Sequence, residues 1–143
     1  MLLEMPAAVR WISVEPLLAQ IDLNKYHKEL DINWLTGLDK NYPEEGICMK
    51  IDWVVVGAES MGEKAGRECK NEWIEDIVSQ CREAGVPVFV KQTQRDGKII
   101  KNINQFPKHL QIQEYPKTQS EQPTGFAKFR SGANHRATFS GRG

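Results

Sequence analysis

The sequence predicts an α/β fold built from parallel βαβ units, and three observations carry that reading. Segments 9–15, 51–57 and 86–91 are rich in β-branched and aromatic residues, and each ends on polar groups. The last two are joined by a stretch with helical periodicity, residues 71–84. A crossover of that kind within one sheet is almost always right-handed and leaves its two strands parallel.

The first segment, Val9 to Val14, stops at Glu15-Pro16, because proline excludes helix from the residue before it and cannot continue a central ladder. Residues 17–50 turn polar and turn-rich around Gly37, Pro43 and Gly46, and read as an irregular crossover with one short helix. Ile51 to Val56 is an almost continuous apolar run ending at Gly57, the pattern of a strand covered on both faces. The helix that follows has Asn71 as its expected N-cap, acids in the first turns and Gly85 as a left-handed stop. Trp73, Ile74, Ile77, Val78, Cys81 and Ala84 form its apolar stripe, with Glu75, Gln80, Arg82 and Glu83 facing away. Past residue 95 the segment "QRDGKII" reads as a turn entering a short edge strand, and Phe106 to Pro116 as a capping segment.

Composition narrows the function classes. Nineteen basic residues balance nineteen acidic ones, so there is no global pull toward nucleic acid or an anionic membrane surface. No apolar run approaches the length of a bilayer span and the opening lacks the order of a secretory signal, so a cytoplasmic protein with no membrane partner is expected. Cys48, Cys69 and Cys81 are odd in number and far apart, and read as reduced thiols holding no metal. His27, His109 and His135 match no ligand spacing. Residues 1–116 read as one folded unit, and residues 117–143 as a polar tail, basic after Gln122 and expected to be disordered. Such a tail can touch nucleic acid through phosphates, with few charges to do so.

The candidate site follows from the parallel reading. If all three strands run in one sense, Glu15, the pair Glu59 and Ser60, and the pair Lys91 and Gln92 share the carboxyl edge, where α/β sheets bind ligands. Lys91 would then lie between Glu15 and Glu59 and the group would hold a small molecule. Two plainer readings stand beside this one: charged residues also end strands because the chain is leaving the core, and Lys91 between two glutamates is equally a structural salt bridge. The loop 60–67, "SMGEKAGR", lacks both the G-x-G-x-x-G spacing and the G-K-[ST] ending of a phosphate cradle. It reads as a mobile loop from which Lys64 or Arg67 reaches an anionic ligand.

The ordered blocks "PAAVRWISVEPLL", "IDWVVVGAES", "WIEDIVSQCREAGVPVFVKQ", "DGK" and "NQFP" resemble the second half of the phage protein Gp-thirty-seven/Gp-sixty-eight family, over roughly residues 1–115. Members of that family resemble radical S-adenosylmethionine proteins. The resemblance implies a partial (β/α) barrel of radical-SAM type, incomplete in this chain, and places Glu15, Glu59, Ser60, Lys91 and Gln92 on the family's own motifs. Where the family commonly reads Gly-Gly-Glu-Ser-Gly, this chain has Gly57-Ala58-Glu59-Ser60-Met61, two glycines fewer. It further implies S-adenosylmethionine and an iron–sulfur cluster for the full-length family, neither held by this chain alone because its cysteines do not match the cysteine-rich segment. The expected partner is accordingly a missing N-terminal half or a second copy of the chain, around a small-molecule ligand. The alternative is a non-catalytic binding module that retains the fold.

Overall fold

The computed structural model describes residues 7–24, 32–41 and 50–117. Six strands form one sheet: β1 (Trp11–Val14), β2 (Trp53–Gly57), β3 (Ser60–Met61), β4 (Lys64–Ala65), β5 (Val88–Arg95) and β6 (Lys98–Ile100), with helix α1 (Asn71–Glu83) between β4 and β5. Their order across the sheet is β1-β2-β5-β6-β4-β3. β1 pairs with β2, and β2 with β5, in parallel. Every pairing beyond β5 is antiparallel.

The expectation of a parallel βαβ sheet forming part of a (β/α) barrel is therefore corrected. The sheet is curled and mixed, and among the described residues it carries a single α-helix. The reason is the length of the connections. A parallel partner needs a crossover of a dozen residues or more, whereas β5 and β6 are joined by Asp96 and Gly97 alone. Both residues have positive φ, 51° and 68°, the backbone of the two-residue turn that matches strand twist and closes an antiparallel hairpin. The segment read as a loop, 60–67, closes in the same way: Ser60 opposes Ala65 and Met61 opposes Lys64 around Gly62, and the hairpin joins the sheet through Lys64 beside Lys98. β6 is thus interior to the sheet and not its edge.

α1 packs against β2 and β5 through Ile74, Ile77, Val78 and Cys81, all buried, over the fully buried Val54, Val56, Val88 and Val90. Each of those valines contributes roughly 1.5–3 kcal/mol relative to an exposed position. The helix ends as its sequence requires: Gly85, φ 66°, donates to the Arg82 carbonyl and Val86 donates to that of Cys81. Two details differ from the expectation. Lys70, not Asn71, stands at the N-cap position, and no side chain caps the helix. Gln80 points inward, accepting from the Leu23 N–H at 2.7 Å and donating to the Ile21 carbonyl and Asp76, each at 2.9 Å. A polar residue on the apolar side of the helix thereby satisfies the backbone of an irregular segment that has no ladder of its own.

No helix is found within residues 17–24 or 32–41; a turn built on Asn33, whose side-chain oxygen accepts from Leu35 and Thr36, lies there instead. The capping segment runs through two 3₁₀ turns, Ile103–Gln105 and Lys108–Leu110, buries Phe106, Leu110 and Ile112, and lies antiparallel beside the first half of β5. Cys48, His27, His135 and the tail 118–143 lie outside the described residues. No helix among the described residues is long and apolar enough to cross a membrane.

Candidate functional site

The parallel half of the sheet brings Glu15, Lys91 and Gln92 together. Glu15 follows β1, and its carboxylate accepts from Lys91 Nζ at 2.9 and 3.1 Å and from Gln92 Nε2 at 2.9 Å. Gln92 is buried and also donates to the Ala58 carbonyl at 2.6 Å, so the amide links three neighbouring chain segments.

Lys91 and Gln92 were expected to end their strand, but β5 runs on to Arg95. What ends there is the parallel pairing. Val56 opposes Val90 but Gly57 opposes Gln92, so Lys91 is an extra residue in the ladder. Such a bulge re-aims a side chain without ending the strand. It turns Lys91 outward, half-exposed, and puts both Gln92 and Thr93 in the interior. Gly57 stands opposite Gln92, where a Cβ would lie 3.2 Å from the Gln92 side chain and press it aside by a few tenths of an ångström.

Glu59 is not the second carboxylate around Lys91. It pairs with Arg67: the guanidinium donates at 2.9 and 2.7 Å to the two oxygens, and the Arg67 backbone N–H adds a bond of 2.8 Å. These hydrogen bonds, with the cation's charge, hold the Glu59 carboxyl at about 2, well below its ordinary value, and raise Arg67. Ser60 donates to the Gly62 carbonyl at 2.9 Å, inside the hairpin. The five candidates therefore divide into a convergent set, Glu15, Lys91 and Gln92, and a pair, Glu59 and Ser60, that fastens the β3–β4 hairpin. The role of Arg67 as the partner of Glu59 was missed from the sequence. Gly66 just before it was the available signal, since it is the residue over which the carboxylate lies.

Burial pushes the Cys69 thiol up to about 11 and the Cys81 thiol, which also faces the Glu114 charge, up to about 12. No group of three or more potential metal-ligating side chains occurs among the described residues.

A cleft of about 600 Å³ lies at the other, amino edge of the parallel strands. It is lined by Lys50 and Asp52 before β2, by Arg82 at the end of α1, and by Glu114, Tyr115 and Lys117. The polar set and this concavity thus occupy opposite edges of the sheet. Trp11, Trp53 and Phe89 on the strands and Tyr115 packed against them have ring centroids 5.4–6.2 Å apart between neighbours.

No curated protein and no solved structure matches this chain. The sequence model of one family, described as a protein of unknown function (DUF5131), matches residues 1–124. With that match covering most of its length, the chain belongs to the DUF5131 family.

Proposed function

We propose that this chain binds a small polar molecule at the carboxyl edge, with Lys91 and Glu15 as the contacting groups and Gln92 as the residue that positions them. The observation that carries this reading is the bulge at Lys91. It turns an ammonium group out of a strand that is otherwise largely buried and sets it beside a carboxylate already oriented by a buried amide. An ammonium has three N–H groups, and two bonds to Glu15 leave one for a ligand oxygen. The carboxylate complements it as an acceptor for a hydroxyl or amino group. Ribose hydroxyls and amino-acid groups have that chemistry, and S-adenosylmethionine, which the resemblance to the phage family brings forward, contains both. Cys69 and Cys81 supply no iron–sulfur ligands in this reading, so any cluster is carried by other residues and no radical step is assigned to this chain.

The plain alternative is a structural ion pair, and one experiment separates the two. S-adenosylmethionine binding is measured by calorimetry, and thermal unfolding is followed in parallel, for the wild type and Lys91→Met. An exposed pair of this kind contributes about 0–1 kcal/mol to stability, so the expected result is binding weakened about tenfold or more with little change in Tm. Unchanged binding with a lowered Tm assigns Lys91 to structure alone.

A further inference from the structure

The amino-edge cleft is lined by three cations that have no ion pair among the described residues. They are Lys50, Arg82 and Lys117, and none has a side-chain hydrogen bond among those residues either. Its two acids are both engaged by the backbone: Asp52 accepts from the Arg10 N–H at 2.8 Å and Glu114 from the Val88 N–H at 3.1 Å. The carboxyl end of α1 reaches the same cleft, and its negative pole is blunted, because the carbonyls of Gln80, Cys81 and Arg82 accept from Ala84, Val86 and Gly85. Three cations against two acids leave an excess of positive charge in the lining of the cleft.

The same lining holds one aromatic ring, Tyr115. Tyr115 is 66% exposed, yet its ring is held against Trp53 at 5.7 Å and Phe89 at 5.4 Å. A planar group can stack on a ring fixed in this way without first ordering it. The volume, about 600 Å³, falls within the usual range for small-molecule sites.

We propose that this cleft binds a nucleotide, with the base on Tyr115 and the phosphate among Lys50, Arg82 and Lys117. Free phosphate would leave Tyr115 unused, and an uncharged base would leave the cations unused. A polyanionic strand is disfavoured because the chain, at zero formal net charge, has no long-range attraction for one. The inference is independent of the carboxyl-edge reading, since the two sites share no residue.

The test is calorimetry of the full chain with adenosine 5′-monophosphate, adenosine and inorganic phosphate. The mononucleotide is expected to bind about tenfold more tightly than either fragment. Arg82→Ala with Lys117→Ala should weaken the mononucleotide about tenfold and leave adenosine unchanged, while Tyr115→Ala should weaken adenosine and leave phosphate unchanged. Both cations are exposed, so the fold is retained, which circular dichroism verifies. Lys98→Ala removes one positive charge from β6, away from the cleft, and should alter nothing. The proposal is overturned if the mononucleotide binds no better than phosphate, if the double variant binds it normally, or if Lys98→Ala weakens it equally. Binding of a single-stranded oligonucleotide without binding of the mononucleotide overturns it too. Failure here with S-adenosylmethionine binding lost in Lys91→Met leaves the carboxyl-edge reading intact, and the reverse pattern removes that reading alone.

Discussion

Gly66 and Glu59 are matched to each other. A Cβ at position 66 would stand 2.3 Å from Glu59 Oε2, so glycine there is what lets the carboxylate lie flat against the backbone and reach both the N–H and the guanidinium of Arg67. Gly66→Ala should therefore displace Glu59 and raise its carboxyl pKa from about 2 toward the ordinary value near ~4.3, read by carbon-detected NMR titration. The same substitution in a Glu59→Ala background should have little effect on Tm, because the clash is with the side chain. The sign of the pH dependence follows from the lowered folded-state value. The pair's contribution is complete above the unfolded pKa of ~4.3 and is lost as pH falls toward about 2. Cys81 behaves in the opposite sense to a reactive thiol: pushed up to about 12, it should resist iodoacetamide at pH 8 in the folded protein and react once the chain is unfolded by urea.

At the scale of elements, Gln80 and the Asp96–Gly97 turn decide more than their lengths suggest. Gln80 is the tie between α1 and residues 21–23, satisfying one buried N–H and one carbonyl of that segment. Gln80→Ala should cost about 1–3 kcal/mol in urea unfolding, since buried backbone groups lose their partners. Gly97 has φ 68° with open space where a Cβ would stand, so Gly97→Ala probes backbone strain alone. It should destabilise by about 1–2 kcal/mol and weaken the β5–β6 hairpin. Proton exchange of the Ile100 amide, opposite Thr93, would report that loss directly.

For the whole molecule, the parallel half and the antiparallel half should differ in stability. β1, β2 and β5 share a core covered by α1, whereas β3 and β4 have no buried residue and β6 only partly covered ones. Hydrogen exchange should therefore show Val54, Val56 and Val90 opening only with global unfolding, and the amides of residues 60–65 opening locally well below it. Uniform protection across all six strands would contradict this division.

Much of the first half of the sheet was legible locally. Apolar runs marked β1, β2 and the start of β5, the periodic stripe marked α1, and Gly85 marked where it stops. These signals lie within single elements and follow from the turn chemistry and burial of neighbouring residues. The nearness of Glu15 to Lys91 and Gln92 was legible in part, because parallel pairing aligns β1 with β5 through β2, although β5 itself runs on past that point. What the sequence could not determine was the partner of each charge and the direction of the ladder beyond β5. Glu59 meets Arg67 and not Lys91 because a hairpin folds back over residues 60–65, and a hairpin of two-residue strands leaves almost no periodic trace. Gln80 turns inward because an irregular segment of residues 21–23 lies over it, and Lys91 turns outward because one extra residue shifts the register opposite Gly57. The amino-acid sequence determined by itself where β2 lies, where β5 begins and where α1 stops, since propensity, capping and burial pattern act over a few residues. Only the tertiary structure decided sheet direction, bulge and charge pairing, since each depends on which distant backbone arrives beside it.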